Sequence, residues 1–181
     1  MFNLLSIRCL VLIQVLLLSS LFPQSSAETK APEMKSIYTL NFIRFTHWPE
    51  SEDKAKNDLG ICYSAETSVA ASIAKTSMQQ INGRALQFRQ ITLPAPVNEC
   101  DVFFISDSSP QRLRRLLAAT LQGLPILLVG DNTGFLKYGG MIELFEQDRK
   151  IRFSINLDAI RKSGLRLDAQ LLDLAVEVRG Q

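Results

Sequence analysis

Apolar side chains at Met34, Ile37, Tyr38, Phe42 and Phe45 recur at steps of three and four residues, the spacing of one helical face. The pattern predicts a first helix over residues 33–48. Pro49 ends it, because the residue before a proline is pushed out of the α region. Trp48 is then expected at the helix terminus, closing the core with its indole N–H still near water. Further along, Leu59 to Tyr63 reads as a short buried strand, and Val69, Ile73 and Met78 mark one side of a helix over 68–80. Asn82-Gly83 is a turn signal, after which Leu86 and Phe88 alternate with Gln87 and Arg89, as in a half-buried strand.

Two continuous apolar runs, 100–106 and 125–130, have the character of central strands covered on both faces. Between them Ser109-Pro110 supplies an N-cap and first turn for a helix extending to about residue 121, with Gly123 beyond it. Gly139-Gly140 turns the chain into Met141 to Phe145, which a polar turn over 146–149 joins to Lys150 to Ile155 as an antiparallel hairpin. A short helix begins at Asn156 and closes at Gly164. A last helix is expected over 168–178, with Leu171, Leu172, Leu174, Ala175 and Val178 as its apolar stripe. This order predicts a single-domain α/β sandwich with a mixed, mostly parallel central sheet, flanking helices and a C-terminal β-hairpin. There is no internal repeat and no low-complexity tract.

The start of the chain follows another logic. Arg8 gives a thin positive region, Cys9 to Leu18 is apolar except for Gln14, and Ser25-Ser26-Ala27 places small residues where signal peptidase cuts. The run breaks at Ser19, Ser20 and Pro23, short of the roughly 20 residues of a membrane anchor. Residues 1–27 therefore read as a secretory signal peptide and 28–181 as one domain. Removing 27 of 181 residues leaves 154, enough to cover one core. Arg8 is the only charged residue lost, so 19 of the 20 Lys and Arg face 18 Asp and Glu. That near-neutral balance argues against a nucleic-acid partner.

Cys9 leaves with the signal, and an even pair remains, Cys62 and Cys100. In an oxidising compartment this pair favours a disulfide over free thiols. Two thiols and His47 without a carboxylate cluster make a poor zinc set, so no metal is expected. The search for catalysis is equally unproductive. His47 is the only histidine, and no serine sits in a nucleophile-elbow pattern. No G-x-G-x-x-G follows the first strand and no G-K-[ST] follows Gly130, so neither a dinucleotide nor a P-loop cofactor is implied.

What remains are binding candidates. The loop Asp131-Asn132-Thr133-Gly134 lies at a strand's carboxyl end, where open α/β sheets gather ligands. Glu143 and Arg152 are charges inside apolar strands, read first as a cross-strand ion pair and second as a ligand contact. Arg112, Arg114 and Arg115 read as a solvated helix face. Trp48 is the residue best suited to a partner surface, with Arg44 and His47 beside it.

Four blocks carry a family resemblance: residues 41–49 (Asn-Phe-Ile-Arg-Phe-Thr-His-Trp-Pro); 100–106; 126–131 with Gly134-Phe135 and Gly139-Gly140-Met141-Ile142; and 152–157 followed by Ser163-Gly164-Leu165. In this order and spacing the chain resembles the YfiR-like family of secreted bacterial proteins. The resemblance implies a periplasmic regulator, not an enzyme, which represses a membrane diguanylate cyclase through its periplasmic sensor region and is itself sequestered by an outer-membrane lipoprotein. It also implies a disulfide, for which Cys62 and Cys100 fall in matching blocks, and association as a homodimer. A second bridge of the best-known branch has no counterpart among the remaining residues. Related domains occur beside sensor kinases and TonB-type receptors, so the alternative is a small-molecule-binding module in such a system.

Overall fold

The computed structural model describes residues 30–49, 58–64, 67–92, 97–106, 109–117 and 123–180. The expected signal segment, residues 50–57 of the charged stretch 50–58 expected as a solvated loop, Pro94 and Pro96 of the loop expected before residue 100, and residues 118–121 of the helix expected to extend to about residue 121 lie outside the described residues. In chain order the elements are helix α1 (Lys30–Arg44), strands β1 (Thr46–His47) and β2 (Asp58–Tyr63), helix α2 (Ser68–Ala74), and strands β3 (Gln80–Ile81), β4 (Arg84–Gln90) and β5 (Val102–Ile105). Helix α3 (Pro110–Leu116), strand β6 (Leu127–Gly130), a 3-10 turn (Leu136–Tyr138), and strands β7 (Ile142–Gln147) and β8 (Lys150–Asn156) follow. Helix α4 (Leu157–Lys162), strand β9 (Arg166–Leu167), helix α5 (Ala169–Asp173) and strand β10 (Glu177–Arg179) are the last of the described elements.

Eight strands form the central sheet in the order β10-β8-β7-β6-β5-β2-β4-β3. The run β4-β2-β5-β6-β7 is parallel, β8 reverses against β7, and β3 reverses against β4. The mixed, mostly parallel sheet and its hairpin match the expectation. All four residues of β5 and of β6 are buried, as continuous apolar runs in a doubly covered sheet must be. Local signals also hold where chemistry is local. Ser109 caps α3 by accepting from the Arg112 N–H, Asn156 caps α4 by accepting from Ala159, and Asn82-Gly83 turns β3 into β4 with both residues at positive φ.

Helix α1 packs against α2 and β8. Phe42 meets Phe153 of β8 edge to face at 4.9 Å, with Tyr38 about 6 Å from both rings. The stripe read from the sequence is only partly the buried one. Met34 and Ile37 are 43% and 50% exposed, whereas Ser36, Thr39, Leu40, Phe42 and Ile43 are buried. Hydroxyl chemistry explains the rotation. Ser36 Oγ donates to the Glu33 carbonyl and Thr39 Oγ1 to that of Lys35, so both bury without an unmet hydrogen bond.

Helix α1 also begins at Lys30 and stops at Arg44, four residues before the expected end. Thr46 and His47 leave it to pair antiparallel with Leu167 and Arg166 of β9, and the Phe45 carbonyl accepts from the Asp168 N–H. A second difference lies at the C-terminus. The helix expected over 168–178 is the five-residue α5, after which residues 177–179 add to the sheet as β10, parallel to β8. Leu174 is accordingly 66% exposed rather than part of a buried stripe. The helix over 68–80 likewise ends at Ala74, with Gln80 and Ile81 given to β3.

The sulfurs of Cys62, on β2, and Cys100, just before β5, are bonded, with Cα atoms 5.7 Å apart. Both residues are buried. Among the described residues no helix is long and apolar enough to cross a membrane.

Candidate functional site

The binding candidates fall at two opposite edges of the sheet. At the carboxyl edge of β6 lies the loop Asp131 to Gly134, in which Asp131, Asn132 and the Gly134 N–H are already engaged within the chain. Asp131 accepts an ion pair from Lys35 of α1 at 2.8 Å, with both side chains largely buried. The Asn132 carbonyl accepts from the Phe135 N–H. Glu143 accepts from the backbone N–H groups of Gly134 at 3.0 Å and Leu136 at 3.2 Å.

The expected Glu143–Arg152 ion pair is therefore not the arrangement. The hairpin register sets Glu143 opposite Ser154 and Arg152 opposite Phe145, and the Glu143 carboxylate turns to the loop amides instead. Charge-assisted bonds to two backbone donors outweigh a diagonal surface pair. Arg152 is exposed. Replacing Glu143 by alanine is expected to lower stability by about 2 kcal/mol, because both amides lose an ionised acceptor. Urea unfolding checks this, and an unchanged midpoint would show that the loop holds without Glu143.

Phe135 fills the space beneath this loop. Its ring is fully buried, and a Cβ on Gly130 would lie 2.6 Å from its Cδ2. Gly140 approaches the other side of the ring so closely that a methyl there would overlap it. The Gly139-Gly140 pair thus combines a turn residue at φ 99° with a residue that must be bare.

The opposite edge is open. Where α1 gives way to β1, a cleft of about 590 Å³ is lined by Ile43, Thr46, His47, Trp48, Pro49, Leu59, Asn82, Arg84 and Arg166. Its floor comes from the starts of β2 and β4, its rim from the small β1–β9 sheet. His47 pairs with Asp168 across that sheet, Nε2 to Oδ1 at 2.6 Å, with both side chains substantially exposed. Asp168 is the N-cap of α5, yet its side chain makes no capping bond. Arg84 is held from behind: its Nη2 donates to the Asp58 carbonyl at 2.6 Å and lies 3.2 Å from Oδ2 of the buried Asp101. The same Asp101 oxygen accepts from the Gly60 N–H at 2.9 Å. The Arg84 guanidinium carbon stands 5.9 Å from the Trp48 ring centre, a cation–π contact.

Trp48 departs from expectation. It is half-buried, but its Nε1 is shielded from solvent and has no acceptor among the described residues. His47 and Trp48 thus share one cleft, while Arg44 is exposed on α1 and Asp131, Asn132, Glu143 and Arg152 belong to the far edge and the hairpin. Arg84, Asn82 and Arg166 were not visible as site residues. The one local signal was the Asn82-Gly83 turn, which fixes where Arg84 starts its strand.

Comparison with known proteins agrees with the fold. A conserved domain protein from Vibrio cholerae O1 biovar eltor str. N16961 superposes with a TM-score of 0.50 at 14% identity, over 82% of this chain and 60% of that one. The ABC domain in complex with L-Trp from Streptococcus pneumonia reaches 0.49 at 11% identity, over 80% of this chain and 60% of that one. The chain thus spans about 60% of the length of each of these structures. The model of the YfiR/HmsC-like family matches residues 32–176, nearly every described element from α1 to α5, and the chain belongs to that family.

Proposed function

We propose that this chain is an exported regulatory binding protein that restrains a membrane signalling enzyme, a diguanylate cyclase, through that enzyme's periplasmic sensor region. The observation that carries the reading is the family match over residues 32–176. The secretory signal read over residues 1–27 and the cysteine pair fit a periplasmic address. In this reading the protein is not an enzyme, works as a homodimer, and is relieved by an outer-membrane lipoprotein. Met34 and Ile37, exposed side by side on α1, supply apolar surface for protein contact.

Repression of this kind is a difference in affinity. The protein must bind the cyclase's inactive state more tightly than its active one, and a signal acts by changing that difference. The expected result is a rise in cellular cyclic di-GMP when the protein is deleted, reversed when it is restored to the periplasm. An unchanged level in the deletion strain would remove the cyclase from the account. The second reading, a small-molecule-binding module serving a sensor kinase or TonB-type receptor, has the Trp48 cleft as its observation. A ligand that raises the melting temperature in a concentration-dependent way would favour it.

A further inference from the structure

Trp48 Nε1 and Arg84 Nε are both buried without an acceptor among the described residues, and their residues line the same cleft. Buried N–H groups are nearly always satisfied, so two unmet donors around one space call for an explanation. The charge of the cleft points the same way. Among the described residues its lining contains Arg84, Arg166, His47 and Asn82 but no acidic residue. Arg84 is balanced by Asp101 behind it, and His47 by Asp168 at the rim. Arg166, opposite His47 in the β1–β9 register, has no ion pair among the described residues.

We propose that the cleft binds a carboxylate, with the Trp48 indole N–H and Arg84 Nε–H as donors and Arg166 as counter-charge. Ile43, Leu59 and Pro49 accommodate the apolar body that carries it. One guanidinium without an ion pair among the described residues and two N–H donors match a single negative charge with two oxygens better than a phosphate dianion, which asks for more of both. Both nitrogens are shielded in this conformation, so binding requires the indole edge to move outward to admit an oxygen. The inference is independent of the regulatory reading.

Trp48 is the only tryptophan, so a 15N-labelled sample has one indole resonance, which reports hydrogen bonding at Nε1 directly. Sodium benzoate, benzamide, inorganic phosphate and an N-acetylated Leu-Phe peptide with a free C-terminus are titrated in turn at constant ionic strength. Benzoate or the peptide is expected to shift that resonance saturably. Arg166→Gln, in an exposed residue whose loss leaves the core intact, is expected to weaken binding at least about tenfold. Saturation by benzoate alone assigns the site to a free organic acid, and tighter saturation by the peptide assigns it to a protein chain. Equal affinity for benzamide, a response to phosphate alone, or no saturable shift with any probe overturns the proposal. A positive titration together with unchanged cyclic di-GMP would sink only the cyclase reading, and the reverse result only this one.

Discussion

Replacing Cys62 and Cys100 together by alanine is expected to lower stability by about 4 kcal/mol. The bond closes a loop with a sequence separation of 38 residues, and on the chain-entropy model that is the freedom returned to the unfolded chain. For a domain of this size the melting temperature should fall by roughly 8–16 °C. Both cysteines are buried, so reductant acting on the folded protein should be slow and should accelerate with partial unfolding. Calorimetry of the double variant against the oxidised protein measures the loss. A shift under about 2 °C, small beside the expected fall, would mean that β2 and β5 hold their register without the bond. If the protein restrains a partner, the lower folded fraction at physiological temperature should also raise the partner's output.

Gly140→Ala is expected to cost about 3 kcal/mol, near the upper end for overpacking a core. The new methyl would overlap the Phe135 ring, which cannot retreat because Gly130 already meets its other side. Phe135 is fully buried, so its ring sits among packed neighbours with no solvent on any side. Adding Phe135→Leu to the same chain should recover part of the loss by vacating the contested volume, and this coupling separates a steric cause from a general intolerance of substitution. Denaturant melts of the two singles and the double complete the cycle. Strict additivity would refute the overlap.

Legibility of the fold followed the range of the signal. Caps at Ser109 and Asn156, the Asn82-Gly83 turn and the β5 and β6 runs depend on neighbours a few residues away, and each is legible in the order of its residues alone. The end of α1 is not. Pro49 permits helix up to residue 47, and it is pairing with β9, more than a hundred residues later, that draws Thr46 and His47 into a strand. The same holds for residues 177–179, whose helical spacing lost to a free edge of β8. At the site, Trp48 and His47 were legible as a pair because they are adjacent. Arg84 and Arg166 join them only through the sheet. The carboxyl-edge rule for α/β ligands pointed to Asp131, but Lys35 and Glu143 had already taken up that loop.

The position of the disulfide also decides how the domain answers a pulling force. The residues between Cys62 and Cys100 include α2, β3 and β4, the whole flank of the sheet beyond β2. Tension applied through the two ends of the chain passes across the sulfurs and bypasses that flank. Roughly 130 Å of contour stays hidden while the bond is intact, at about 3.5 Å per extended residue. Oxidised and reduced molecules therefore differ in how far they can be drawn out, and the redox state of one covalent bond sets the reach of the chain.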